Sequence, residues 1–304
     1  MRLSELGESG LIRRLAGNIK PGKDVIKGIG DDCAVIRITK DKYLLVTSDM
    51  LIEGVHFDLK NAKAAEIGWK ALACGISDIA SMGGIAKYAV VSLGLPSGCK
   101  VEFVDGIYKG MRLLAKRFGV EIIGGDTNSS KELIIDVAVL GFVEPNKVTL
   151  RSGAKPGDAI CVTGALGGSY KSKKHLNFIP RLKEARALTG DFKINAMIDI
   201  SDGLSTDLNH IADESKVGAC IYEELVPVSK DADSLDAALN EGEDFELLFT
   251  LSAGEARALI RKNLFGAGLP VSRIGEVAVK GKGVKIIDKA GNQRELKPKG
   301  FKHF

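Results

Sequence analysis

Four apolar runs in this chain break off at Gly or Ser beside an aspartate, and that pattern constrains fold and chemistry together. Asp31 and Asp32 follow Gly28–Gly30, Asp49 closes YLLVTSD, Asp126 follows VEIIGG, and Asp199 and Asp202 close AMIDISD. Val-, Ile- and Leu-rich runs of this length read as strands, and ligand sites of α/β folds gather where strands end. A single such Asp reads as a helix cap or a turn residue. Six converging on one mouth do not. Two like charges about 5 Å apart repel by roughly 3 kcal/mol at an effective dielectric near ~20, so the cluster requires cations. Oxygen ligands without His or Cys partners point to Mg²⁺ or Mn²⁺, and Mg²⁺ commonly completes its shell with substrate phosphates. A nucleotide enzyme is the leading expectation. Asp78 is a seventh candidate, on a helical stripe with Ala71, Gly75 and Met82.

The periodicity around these residues predicts an α/β or α+β protein. Strands are expected at 43–48, 88–95, 120–123 and 133–143, with helices over Trp69–Ala80 and Phe103–Phe118 between them. The polar, Gly- and Pro-punctuated RSGAKPGD, Arg151–Asp158, marks a connection. It divides the chain into units 1–147 and 148–304, each long enough to bury a core of its own. In the second unit strands are expected at 159–163, 196–200 and 245–251, with helices over 204–211 and 255–263. VKIIDKAGNQREL reads as a hairpin turning at Ala290–Asn292.

Composition narrows the classes. The 43 Lys and Arg against 39 Asp and Glu leave +4, so no electrostatic argument favours nucleic acid or a membrane surface. The longest uncharged runs, Tyr88–Cys99 and Ala159–Tyr170, are well short of the roughly 20 residues of a membrane helix. Five cysteines without a CxxC pair argue against a disulfide framework or structural zinc. The start, MRLSELGESGLIRRLAG, does not read as a secretory signal. A reducing cytoplasm is the expected compartment. Glycine is in excess, at 36 of 304 residues, about 12% where roughly 7% is ordinary. GIGDD, IGGDT, TGALGGS and EGED would let backbone N–H groups reach phosphate oxygens. GxxxxGK[ST], GxGxxG and the HRD and DFG motifs are all missing, so an ATP site here is of another kind.

GIGDDCAVI, TSDMLIEGVHF, WKALACGISDIASMGG, IIGGDT, LRSGAKPGD, VTGALGGS, IDISDGLSTDL, GEDFELLFT and GFKHF, in that order, resemble the thiamine-monophosphate kinase family across nearly the whole chain. The wider resemblance is to the aminoimidazole ribonucleotide synthetase superfamily. It implies a two-domain fold, with a mixed-sheet amino-terminal domain forming a homodimer and an α/β carboxyl-terminal domain completing the site. It implies ATP and thiamine monophosphate as substrates, and several Mg²⁺ ions. Carried over by position, Asp32, Asp49, Asp78, Asp126, Asp199 and Asp202 match metal ligands, with Thr47 and Ser48 as further oxygen donors. Tyr108, Gly125, Asp126, Arg151 and Ser201 match ATP contacts; His56 and Glu243 match contacts to the thiamine phosphate. A phosphomonoester is mostly dianionic at pH 7, so phosphoryl transfer to it needs no general base. That suits a chain with four histidines and no evident His–carboxylate pair.

Two departures stand out. Only YKSKK separates VTGALGGS from HLNFIPRL, a shortened segment where an altered or mobile lid is expected. Pro298 and Lys299 stand where many members of the family carry an aromatic before GFKHF, so a ring against the thiamine would come from Phe301 or another residue, or selectivity for thiamine is weaker.

Overall fold

Alternation of period two builds the first half of the molecule. The computed structural model describes residues 2–266 and 268–301. Helix α1 (Leu3–Ala16) precedes β1 (Val25–Lys27), β2 (Ala34–Thr39), β3 (Lys42–Ile52), α2 (Ala64–Ser81), β4 (Ile85–Leu95), α3 (Val101–Phe118), β5 (Glu121–Ser129) and β6 (Ile134–Val143). These strands form one sheet in the order β1-β2-β3-β6-β4-β5, antiparallel except where β4 meets β5. Leu45, Thr47 and Leu51 of β3 turn inward while Ser48 and Met50 turn out, and β6 alternates along its whole length. On the inner face α2 packs against β3, β6 and β4, with α3 against α2. Gly75 permits that approach, because a Cβ there would stand 2.6 Å from Val139 Cγ2. The outer face presents half-buried Leu44, Val46, Val90, Leu140 and Phe142.

The second half contains β7 (Asp158–Thr163), α4 (Lys174–Asn177), α5 (Leu182–Asp191), β8 (Ile194–Asp199), α6 (Leu204–Ser215) and β9 (Gly218–Tyr222). It continues with α7 (Leu235–Asn240), β10 (Leu247–Ser252), α8 (Ala253–Lys262), β11 (Val271–Ala278), β12 (Val284–Ile287) and β13 (Gln293–Glu295). Its sheet runs β13-β12-β9-β11-β7-β10-β8, antiparallel except for β9 with β12. The hairpin β12–β13 turns over Asp288–Asn292, as expected. β7 is buried on both faces, which explains its unbroken apolar run. Ile160 and Val162 join a core private to this half, under α6, whereas Ala159 and Cys161 join the core that contains α2.

That division corrects one expectation. The larger core is shared: Ile67, Leu72 and Ile76 of α2 belong to the same buried cluster as Leu188, Met197 and Phe249 from the second half. Trp69 Nε1 also donates to the Phe178 carbonyl at 2.8 Å. So α2 is the spine of both halves, and its sequence is apolar nearly all round for that reason. No helix among the described residues is long and apolar enough to cross a membrane.

Candidate active site

One turn of α2 gathers the inner carboxylates. Ser77 Oγ donates to Asp199 Oδ2 at 2.5 Å, from the end of β8 in the second sheet. Ser81 Oγ donates to Asp32 Oδ2 at 2.5 Å, in the loop before β2. Asp78, between them, accepts Thr47 Oγ1 from β3 at 2.5 Å. The oxygens of Asp32, Asp78 and Asp199 lie within 4.8 Å of one another. Asp49, on the same face of β3 as Thr47, leaves Oδ2 buried with no hydrogen-bond partner among the described residues.

Among the described residues, Asp49, Asp78 and Asp199 have no ion-pair partner, and Asp32 pairs with Arg151. Burial raises Asp49 to about 6, with the Asp136 charge adding to it and a hydrogen bond with Asp78 opposing. Burial and the Asp32 charge raise Asp199 to about 8. Asp78 is pushed well above the carboxylate range by burial and by Asp49, Asp199 and Asp32. Arg151 places Nε at 3.0 Å and Nη2 at 2.6 Å from Asp32 Oδ1. Its backbone N–H donates to Asp31 Oδ1 at 3.1 Å. Asp31, raised to about 6 by burial and then by Asp32, faces this backbone and Lys27 rather than the inner group.

The expected single mouth is divided by the sheet itself. β3 does not end at Asp49, because the apolar residues after it carry the strand to Ile52, and Asp126 lies inside β5 rather than beyond it. Alternation turns Ser48 to the outer face, where its Oγ donates to Asp136 Oδ1 at 2.8 Å. Register sets Asp126, Ser92 and Asp136 side by side across β5, β4 and β6. Asp126 is exposed and accepts from Asn128 Nδ2 at 2.7 Å. Asp202 belongs to a third group, its oxygen within 4.8 Å of Asp207 and of a His210 ring nitrogen. So a His–carboxylate association does exist; Asp207 and His210, three apart on α6, share a helical face. Lys70, Ser77, Ser81, Asp136 and Asp207 join these groups although no sequence motif singles them out. An Asp interrupting the apolar strand IIDVAVLGF was the available signal for Asp136.

The remaining candidates have definite places. Gly125 faces the Val91 carbonyl, 1.8 Å from where a Cβ would sit. Tyr108 is half-buried on α3 against the shared core. The Ser201 carbonyl accepts the Glu243 N–H at 2.7 Å. Glu243 holds the left-handed backbone φ of +58°, a strained choice for a non-glycine residue, and pairs with Lys70. Burial raises Glu243 above the usual carboxylate range, against the opposing Lys70 charge. His56 Nδ1 accepts the Ile52 N–H at 3.0 Å. Its ring lies 6.0 Å from that of Phe301, which the tail sets in place through Phe301 N–H to the Asp202 carbonyl at 3.1 Å. Lys302–Phe304, the end of GFKHF, lie outside the described residues.

Beside His56 opens a cavity of about 350 Å³ between residues 54–62 and the shortened segment, with Tyr170, Lys173 and His175 on its far side. The residues leading into that segment and its last lysine bond to the turn before β10. Asp244 accepts the Gly167 N–H at 2.9 Å and Ser169 Oγ at 2.9 Å, and Glu246 accepts Lys174 Nζ at 2.9 Å. The amides of Gly167 and Gly168 thus turn to Asp244 and Glu241, where the sequence suggests phosphate, while those of Gly164 and Leu166 bond to the Pro270 and Pro227 carbonyls. A wider depression of about 570 Å³ lies by Glu223 and Asp288, at the opposite edge of the second sheet.

Fold and site together define the class: residues 30–143 match the AIR synthase related protein, N-terminal domain, and residues 155–288 match its C-terminal domain. Among relatives, the thiamine-monophosphate kinase of Bacillus subtilis (strain 168) is 37% identical, with 91% of this chain and 93% of that protein covered. That of Aquifex aeolicus (strain VF5) is 33% identical over 100% of both. The solved structure of AaThiL complexed with AMPPCP and TMP superposes with a TM-score of 0.86 at 33% identity, covering 100% of this chain and 99% of that one. The chain belongs to the thiamine-monophosphate kinase family.

Proposed function

We propose that this chain transfers the γ-phosphoryl group of ATP to thiamine monophosphate, giving ADP and thiamine diphosphate, at the seam between units 1–147 and 148–304. The observation that carries the chemistry is the inner group of Asp32, Asp78 and Asp199 together with the orphaned Asp49 oxygen. Carboxylates brought this close, with pKa values raised at Asp49, Asp78 and Asp199 and no cysteine among them, fit hard divalent cations. Asp32, Asp49, Asp78 and Asp199 would hold Mg²⁺ ions, with Thr47 beside them; Ser48 and Asp126 on the outer face and Asp202 at the start of α6 would hold others. Bound Mg²⁺ supplies charge neutralisation and alignment of the phosphates.

The chain's own residues do the rest. Arg151 forks onto Asp32 Oδ1, and the same planar guanidinium would suit the phosphate oxygens of ATP. Gly125 would bring backbone to the nucleotide without side-chain bulk, with Ser201 and Tyr108 as further contacts. His56, Glu243 and Phe301 bound the acceptor, and the cavity beside His56, walled opposite by Tyr170, takes its aromatic rings. The acceptor phosphate is its own nucleophile, so no side chain removes a proton.

The half-buried apolar outer face of the first sheet supports pairing of two copies through it, as a homodimer. Five cysteines without a disulfide among the described residues suit a reducing cytoplasm. Incubation with ATP, MgCl₂ and thiamine monophosphate should yield thiamine diphosphate and ADP in equal amounts. ATP bound or hydrolysed without thiamine diphosphate would refute the assignment.

A further inference from the structure

Lys70 is a fully buried lysine on the core helix α2. Its Nζ donates to the His56 carbonyl at 2.7 Å and to Glu243 Oε2. Those two acceptors come from opposite halves of the chain, the turn after β3 and the turn before β10. They are also the two residues proposed to bound the acceptor phosphate and its rings. The Lys70 charge reaches the far wall of the cavity as well: burial first, and then Lys70, lowers the His175 imidazole pKa.

A buried ammonium–carboxylate pair is a poor way to gain stability, since an apolar pair of similar volume is often neutral or better. The geometry offers a reason for keeping this one. Glu243 holds a left-handed backbone that its own side chain does not favour, flanked by Gly242 at φ +75° and Phe245 at φ +49°. Phe245 also stacks on Phe178, ring centroids 3.8 Å apart. Within this turn, the Glu243 carboxylate is held by Lys70. Eight residues along the same helix, roughly 12 Å at 1.5 Å per residue, stands Asp78. Thus α2 presents an ammonium at the acceptor end of the seam and a carboxylate at the cation end.

We infer that Lys70 is a positioning residue for the acceptor: by bridging the His56 carbonyl and the Glu243 carboxylate it fixes the two walls of the thiamine phosphate site across the domain seam. This rests on the kinase reading above and specifies which part of that site Lys70 controls. Its removal affects acceptor binding and leaves ATP binding alone, because the bridge touches neither the inner carboxylates nor Arg151.

The test is steady-state kinetics of Lys70→Met and Lys70→Arg beside the wild-type chain, with melting temperatures measured in parallel. For Lys70→Met, KM for thiamine monophosphate should rise at least tenfold, while KM for ATP and kcat at saturation change less than threefold. Lys70→Arg keeps the charge against Glu243, and so the fold, but its wider head separates the two walls. It should raise KM for thiamine monophosphate at least threefold with KM for ATP unchanged, and it decides the matter if Lys70→Met does not fold. A lowered melting temperature with unchanged KM for thiamine monophosphate would make Lys70 merely structural and overturn the inference. Equal losses in both KM values and kcat would overturn it too. A wild-type chain that makes no thiamine diphosphate would instead bring down the kinase reading itself, and the inference with it.

Discussion

Two sets of buried carboxylates in this molecule are handled in opposite ways. Glu246 is surrounded by its own cations and a hydroxyl: Arg181 Nε at 2.7 Å and Nη2 at 2.5 Å, Lys174 Nζ at 2.9 Å and Thr163 Oγ1 at 2.7 Å. Asp49, Asp78 and Asp199 lie as deep or nearly so, yet what faces them is Ser, Thr and other carboxylates. The difference separates charge that serves the fold from charge that waits for a ligand. A protein completes its structural ion pairs within the chain; negative charge left over in a seam marks where cations and phosphates enter.

The contrast breaks most visibly at Asp78. Asp78→Asn should lower turnover by roughly a thousandfold, about 4 kcal/mol of transition-state stabilisation. Its melting temperature in EDTA should match the wild type or exceed it, since the change removes repulsion. A coupled ADP assay and a melting curve on the same sample check both halves. Arg181→Ala should behave the other way round. Leaving Glu246 short of a partner costs stability, about 3 kcal/mol, read as a lower urea midpoint, while turnover of the folded fraction stays within about threefold.

A smaller effect sharpens the same contrast through pH. Burial holds the Asp49 carboxyl at about 6 and burial with the Asp32 charge holds that of Asp199 at about 8, against an ordinary aspartate value of 3.8. The folded state therefore binds more protons than the unfolded one in this interval, and stability falls as pH rises from about 4 to about 8. Mg²⁺ binds the ionised form and should flatten or reverse that slope. Melting temperatures at pH 5 to 8 in EDTA and in Mg²⁺ measure it; parallel curves would contradict cation binding at these residues. The smallest effect belongs to Cys33. It sits beside Asp32 but is buried, and burial with the surrounding aspartates pushes its thiol up. Cys33→Ala should keep turnover within about twofold and cost about 1 kcal/mol.

Much of this was legible before any coordinates. Helices α2 and α3 show in the spacing of Leu72, Ile76 and Ile79 and of Ile107, Met111 and Leu114, because burial at period 3.6 leaves a direct trace. Asp32, Asp78 and Asp199 could be suspected together because each interrupts apolar sequence. Strands β1 and β9 leave no periodic trace because three and five residues are too short for alternation to show, and β11 leaves none because Gly275 falls within it at a register shift. What the sequence could not show is which face of a sheet each Asp takes. Pairing sets that, and the alternation that directs Thr47 and Asp49 inward sends Ser48 out toward Asp136. Nor could it show the Lys70 bridge, because Lys70 and Glu243 are 173 positions apart and a lysine in an apolar helix reads as an exposed one.

The central claim is that the unpaired carboxylates of the α2 seam hold divalent cations for phosphoryl transfer. It is tested most directly by counting bound Mn²⁺ with electron paramagnetic resonance, in metal-free wild type and in Asp78→Asn, with and without a non-hydrolysable ATP analogue and thiamine monophosphate. The account predicts more than one tightly bound ion in wild type when both ligands are present, and fewer in the variant. Equal numbers in the two proteins would contradict it.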